Sequence, residues 1–240
     1  MIRNALLFGS ALLTLASVAQ AHEFKAKPSA DAPATFDIRA VSAKLNGTIA
    51  TFAMTLAETA GTQVPQATGK LPGAGVLAYV WPLDLDPSSV GFAEKSGTLA
   101  LAVTAHPDFD DTPLFDENGD GDPANDGKGW HSHWVVLAPD DACAGTKLKV
   151  RDILPGEDLA LPMTAPGLPL LLDSPGYSPL LSGTSISLNV PLPAEKATGA
   201  GFDGITAALQ VNSEGKTPLL CVTSVYDIAS GDLSLPGKID

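Results

Sequence analysis

The sequence predicts an all-β protein, either an antiparallel β-sandwich or an open barrel with long loops. Two observations support this prediction. The 23 glycines and 20 prolines are spread along the 240 residues and divide the chain into short segments. Within those segments apolar and polar residues alternate with the period of a half-buried strand, whereas helical periodicity is not convincing in any of them. Many short strands separated by turn residues are typical of sandwiches and barrels.

The first predicted hairpin is the clearest element. The runs 36–45 and 48–56 flank Asn46-Gly47, a dipeptide favoured in two-residue hairpin turns. The same reasoning predicts seven further strands, at 76–81, 97–105, 130–137, 147–152, 184–190, 205–211 and 219–228. One short helical turn is expected at 195–201, and the proline-rich stretch 161–179 is interpreted as an ordered loop over a sheet edge. We assign residues 36–240 to a single domain.

The N-terminus has the three parts of a secretory signal. Arg3 is followed by an apolar run at 5–16 and then by Ala19-Gln20-Ala21, which places small residues before a cleavage point. The run is shorter than the roughly 20 residues needed to span a bilayer, so no membrane insertion is expected after signal removal. We therefore predict a signal peptide at 1–21 and a flexible arm at 22–35. The mature protein is expected in the periplasm or outside the cell.

Charge and cysteine content restrict the partners. The formal net charge of −13 disfavours nucleic acid and anionic membrane surfaces, which would repel the protein, and favours cations. The chain has two cysteines, Cys143 and Cys221. In an oxidising compartment we expect them to form one disulfide.

An acidic segment predicts a calcium loop. Seven aspartates and one glutamate lie between positions 108 and 126, and mutual repulsion would prevent such a stretch from ordering without a counter-ion. Its inner part places oxygen ligands at alternate positions with a glycine at the sixth, as in the first half of a calcium loop. The predicted Ca²⁺ ligands are Asp116, Asn118, Asp120, Asp122 and Asp126. Position 12, where EF-hands carry a glutamate, is Gly127, and the segment resembles the calcium loops of dockerins and thrombospondin type 3 repeats.

A histidine cluster predicts a second, transition-metal site. His131 and His133 are two residues apart on a predicted strand and so project from the same face. His106 ends the strand 97–105; if the two strands are antiparallel neighbours, it lies opposite the start of the second strand, within reach of His131 or His133. Three converging imidazoles suit copper or zinc. Asp108, Asp110 or Asp111 could add an oxygen ligand or orient a histidine. Structural histidines packed beside tryptophans are the alternative interpretation.

Two resemblances bear on this site. Trp130-His-Ser-His-Trp134 together with the acidic loop is similar to the secreted copper-binding proteins of methanotrophs, which implies copper held on a β-rich, calcium-containing body. If cleavage follows Ala21, the mature chain begins at His22. Such a terminus resembles the histidine brace of lytic polysaccharide monooxygenases and of periplasmic copper carriers.

Three functional hypotheses follow. The first is an exported metal-binding protein with Ca²⁺ in the acidic loop and copper or zinc on the histidine cluster. The second is a zinc- or copper-dependent enzyme that uses the same ligands, as a hydratase, a hydrolase, or an oxidase with an N-terminal His22 brace. The third is a calcium-stabilised binding or surface module without a transition metal. No catalytic residue can be assigned, and we favour binding over catalysis.

Overall fold

The computed structural model describes residues 23–112, 114–116, 120–122 and 126–240. The predicted signal peptide and His22 lie outside these residues. The first strands are β1 (Phe24–Lys25), β2 (Ile38–Asn46), β3 (Ile49–Leu56), β4 (Gly75–Pro82), β5 (Thr98–Ala105), β6 (His131–Pro139) and β7 (Leu148–Val150). They are followed by β8 (Leu172–Asp173), β9 (Leu180–Ser182), β10 (Ser185–Pro191), β11 (Gly201–Phe202), β12 (Ile205–Val211), β13 (Leu220–Ile228) and β14 (Gly237–Lys238). One short helix, α1 (Ala194–Ala197), and two 3₁₀ turns, Pro87–Val90 and Asp126–Lys128, complete the described elements.

The all-β prediction is confirmed. Six antiparallel strands in the order β5-β4-β12-β13-β7-β6 form a barrel that is closed by pairing between β6 and β5. A second antiparallel sheet, β1-β2-β3-β10-β9, packs against it. Short pairings of β8 with β6 and of β11 with β14 finish the pattern. Each long predicted strand is present within a few residues of its expected bounds, and α1 lies at the expected helical turn.

Alternation along the barrel strands creates two cores. Residues that point outward, among them Tyr79, Trp81, Leu101 and Trp134, pack against the five-stranded sheet in one large buried cluster. The alternate residues point into the barrel, where side chains from all six strands form a second apolar cluster. Successive side chains of a strand face opposite sides, so β4, β5 and β6 each contribute to both clusters.

Two local features differ from expectation or refine it. The first hairpin is present, but its two-residue loop is Gly47-Thr48, because Asn46 still pairs with Ile49 and Gly47 has a positive φ of 65°. The segment expected to be a flexible arm contacts the body: Phe24 and Lys25 pair with β2. An apolar contact accompanies this pairing, since the ring of Phe24 lies 5.9 Å from that of Phe202.

The disulfide and the proline-rich loop agree with expectation. Cys143 and Cys221 are bonded to each other and connect the loop after β6 to β13. Within the stretch 161–179, Leu170, Leu171 and Leu172 are buried, and β8 pairs with β6 at the edge of the sheet. In the part of the chain that the structure describes, no helix has the length and apolar character to cross a membrane.

Candidate metal centre

Four side chains that bind metals in other proteins meet at one end of the barrel. His131 and His133 lie at the start of β6, and His106 directly follows β5. The predicted antiparallel pairing is confirmed, with Thr104 opposite His131 in the register of β5 and β6. The fourth side chain, Asp111, comes from the loop that joins the two strands. The hairpin therefore brings all three predicted histidines together.

The four ligand atoms lie close together. The Nε2 atoms of His106 and His131 are 2.9 Å apart. The Oδ1 atom of Asp111 lies 3.2 Å from each of these two nitrogens and 3.4 Å from Nε2 of His133. All four residues are at most 3% exposed, so the cluster is sealed from bulk solvent. Among the described residues, it is the one group of three or more His, Cys, Asp or Glu side chains placed to hold a metal ion.

Hydrogen bonds at the Nδ1 atoms fix the tautomers of His106 and His131. Nδ1 of His106 lies 2.9 Å from the carbonyl oxygen of Phe109, and Nδ1 of His131 lies 2.8 Å from that of Gly129. A carbonyl only accepts hydrogen bonds, so each Nδ1 carries the proton. In the neutral tautomer each Nε2 then presents a lone pair to the centre of the cluster.

His133 is oriented by a side chain that sequence reasoning did not identify. Ser174 Oγ donates a hydrogen bond of 2.7 Å to the backbone carbonyl of Asp111 and therefore accepts one of 2.9 Å from Nδ1 of His133. Nε2 of His133 has no hydrogen-bond partner, although it is buried. One hydroxyl thus connects a histidine on β6 to the loop that supplies the aspartate. Partners of this kind set the orientation and basicity of metal-bound histidines.

Burial and the neighbouring charges shift the pKa values of the clustered side chains in opposite directions. Burial alone would raise the pKa of the Asp111 carboxyl, but the imidazoles of His106 and His133 outweigh it and hold that pKa well below its ordinary value. Burial opposes protonation of His106, yet the neighbouring carboxylate raises its pKa. Burial is also the largest effect on His133, and it lowers that pKa to about 3 despite the opposing effect of Asp111. The cluster therefore holds a buried anion beside a neutral histidine.

One proton cannot provide hydrogen bonds for the Nε2 atoms of all three histidines. A proton on Nε2 of His106 can serve His131 or Asp111, but Nε2 of His133 still has no hydrogen-bond partner. Leaving a buried polar atom unsatisfied costs roughly 1–3 kcal/mol. A metal ion at the centre can accept all four ligands at once.

The loop backbone holds His106 in place. His106 donates its backbone N–H to the carbonyl of Gly127 over 2.7 Å, and its ring stacks on Phe109 with centroids 4.1 Å apart. A side chain at Gly127 would collide with the loop, because an added Cβ would lie 1.9 Å from the Phe109 carbonyl oxygen. That same oxygen accepts the proton of His106 Nδ1. Gly127 is thus required here for close backbone packing.

The other aspartates near the cluster bind backbone groups instead. Asp108 accepts hydrogen bonds from the backbone N–H groups of Thr68 and Gly69, and Asp110 accepts from that of Thr112. Of the three aspartates that sequence analysis considered as extra ligands, only Asp111 joins the cluster.

The predicted calcium loop gains no support from the described residues. Asp116, Asp120 and Asp122 are exposed. The Asp116 carboxylate accepts hydrogen bonds from the backbone N–H groups of Asp120 and Gly121, and Asp120 accepts one from Asp122. Asn118 lies outside the described residues, and the side chain of Asp126 is not described. Calcium in this loop stays a prediction.

The two tryptophans beside the histidines lie outside the cluster. Trp130 donates its indole N–H to the carbonyl of Gly61 over 3.0 Å and packs against Tyr79. Trp134 is buried in the core between the barrel and the second sheet. Their role in the structure is packing.

Comparison with known proteins identified no relative. No protein-family model matches the chain, and neither a curated protein nor a solved structure matches it significantly. The four converging side chains are therefore the basis for any functional conclusion.

Proposed function

We propose that this protein is an exported metal-binding protein that holds one transition-metal ion, best fitted by Zn²⁺. The ligands are Nε2 of His106, His131 and His133 and Oδ1 of Asp111. The observation that carries the proposal is the convergence of four buried ligand atoms, which all lie within 4.8 Å of one another. Export is consistent with the signal-like N-terminus and with the disulfide, a bond that persists in oxidising compartments.

The spacing of three of the four ligand atoms fits a tetrahedral zinc ion. With metal–ligand bonds of about 2.0–2.1 Å, the ligands of a tetrahedral ion lie about 3.3 Å from one another. The ligand atoms of His106, His131 and Asp111 form a triangle with sides of 2.9, 3.2 and 3.2 Å.

A square-planar arrangement does not fit that triangle. Any three ligands of a square plane include one opposite pair, separated by about 4 Å at these bond lengths, so three short sides cannot occur together. This weighs against Cu²⁺, which prefers tetragonal geometry. Three imidazoles and one carboxylate are ordinary ligands for Zn²⁺.

The bound ion would also stabilise the protein. Asp111 belongs to the loop between β5 and β6, whereas His131 and His133 belong to the barrel wall. One ion bonded to both would attach the loop to the barrel end. Because the unfolded chain does not hold these groups together, the binding free energy adds to the stability of the fold.

Metal analysis of matched variants tests the proposal. The wild-type protein, isolated from an exported fraction and dialysed, is expected to contain one zinc per chain by mass spectrometry of the elements. Asp111→Asn removes the anionic ligand and should lower zinc affinity by at least 100-fold. Asp108→Asn is the control, because it makes the same change three residues away at an exposed carboxylate outside the cluster.

The outcomes separate the hypotheses. Stoichiometric copper in place of zinc would overturn the choice of metal while keeping the site. Equal zinc content in Asp111→Asn and wild type would refute the ligand set. Calcium alone, with no transition metal bound even on titration, would favour the calcium-stabilised module without a transition metal.

A further inference from the structure

The metal centre borders a cavity inside the barrel. The cavity has a volume of about 60 Å³ and is lined by side chains from all six barrel strands. Its walls are apolar apart from one end, and typical lining residues are Val76, Ala78, Val135, Ala207 and Leu209. Since about 10–15 Å³ of such volume accommodates one water-sized group, the space suits roughly four to six non-hydrogen atoms.

Three of the four proposed metal ligands form the polar end of this cavity. His106, Asp111 and His133 line it, whereas His131 does not. If the four residues hold an ion, the His131 ligand would therefore lie away from the cavity. The other three ligands would lie beside it. Zinc sites that accept a further ligand keep one such accessible position, and four-coordinate zinc can expand to five.

A buried hydroxyl provides a second, independent observation. Thr104 lines the cavity, is 7% exposed, and its Oγ1 makes no hydrogen bond with any protein atom. It lies opposite His131 in the register of the two strands, so both side chains project to the same face. An unpaired buried hydroxyl is unfavourable by about 1–3 kcal/mol, and valine would fill the same shape without that loss. A ligand that hydrogen-bonds to this hydroxyl would explain why threonine, rather than valine, occupies the position.

A smaller cavity lies between the larger one and a partly exposed residue. It has a volume of about 20 Å³ and shares Phe109, Asp111, Leu172 and Leu220 with the larger one. Leu71 also lines it and is 38% exposed. Movement of the Phe109 and Leu71 side chains would connect the barrel interior to solvent.

We propose that the barrel binds a small monoanionic molecule with one metal-binding head group and a short apolar tail. This inference rests on the proposed metal site. The head group is anionic because a divalent ion with a single carboxylate ligand leaves one positive charge in an otherwise apolar enclosure, where charge neutralisation is strongly favoured. The tail is apolar because the remaining walls carry no polar partner other than Thr104. Short alkyl carboxylates, with about five non-hydrogen atoms, match the charge and the volume.

Cobalt substitution makes the proposal measurable. Co²⁺ loaded in place of zinc reports a change from four to five ligands through its visible absorption. Propionate is expected to change that spectrum saturably at constant pH and ionic strength. Trimethylacetate, which is too bulky for the cavity, and malonate, which carries a second charge, should have no effect.

Two variants separate cavity binding from metal binding. Ala207→Val fills part of the cavity from β12, whose residues supply no metal ligand, and should abolish the response to propionate while cobalt content is unchanged. Thr104→Val should weaken propionate binding about 5- to 10-fold, the equivalent of one lost hydrogen bond. The resistance of Thr104→Val to unfolding should be equal to or greater than that of wild type.

The possible failures are distinguishable. If cobalt binds but no probe changes its spectrum, the ligand proposal is overturned and the metal site stands. If all three probes act equally, the metal is open to bulk solvent and the enclosed-cavity proposal is overturned. If neither cobalt nor zinc binds, both proposals fall. An unchanged propionate affinity in Thr104→Val would refute the role of that hydroxyl.

Discussion

If the four clustered side chains hold a metal ion as proposed, its removal by chelation should lower the melting temperature by roughly 8–16 °C. A ligand that binds only the folded state stabilises it by about 4 kcal/mol when its free concentration is 1,000 times the dissociation constant. For a chain of 150–250 residues, each kcal/mol shifts Tm by roughly 2–4 °C. The burial of all four ligands supports binding to the folded state alone, since residues 25 positions apart, such as His106 and His131, meet only after folding.

Circular dichroism or calorimetry can measure this shift. Zinc-loaded protein would be melted before and after treatment with a zinc-selective chelator, and again after zinc is returned. Asp111→Asn, with its zinc affinity lowered at least 100-fold, should show no more than about a third of the wild-type shift. An unchanged Tm in wild type, with metal removal verified by elemental analysis, would contradict stabilisation by a bound ion. If only a calcium-selective chelator lowered Tm, and Ca²⁺ restored it, the stabilisation would be assigned to the acidic loop.

Three further predictions concern other parts of the structure. Ser174→Ala removes the acceptor of the His133 Nδ1 proton and should weaken zinc binding 10- to 100-fold in a chelator competition assay, with one site still filled at saturation. Reduction of the Cys143–Cys221 disulfide releases a loop with a sequence separation of 78 and should lower the free energy of unfolding by about 4 kcal/mol, measured by denaturant titration; a loss below about 1 kcal/mol would contradict this. Burial raises the pKa of Tyr79 to about 12, so the unfolded chain ionises at lower pH than the folded one. Stability should therefore be intact below pH 10 and fall by roughly 2–3 kcal/mol as the pH rises to 12, with tyrosinate absorbance reporting the ionisation.

The strand pattern was predictable because it depends on local periodicity. Alternating runs bounded by glycine, proline and asparagine indicated every long strand, and Asn46-Gly47 indicated the first hairpin. Among the two- and three-residue strands, β7 was predicted and the other five, β1, β8, β9, β11 and β14, were missed. They are too short for a periodic signal of their own, and some pair with strands distant in sequence, as when β11 pairs with β14.

The candidate site was predictable in part. The spacing of His131 and His133 placed both imidazoles on one face, and the expected antiparallel pairing brought His106 to them. The sequence did not indicate that Asp111, rather than Asp108 or Asp110, joins the cluster. All three lie in one loop, and only the path of its backbone decides which carboxylate points inward. Ser174 carries no motif, and its contact with His133 spans 41 positions of sequence.

Composition and alternation were enough to predict the β class, the two cysteines available for pairing and the set of histidines, because they act over a few neighbouring residues. Long-range contacts were needed to show that the sheet closes into a barrel, that Asp111 completes the cluster, and that Thr104 shares a cavity with it. Those outcomes depend on which strands become neighbours in space. Strand order follows from the packing of the whole chain around two cores, and no local pattern encodes it.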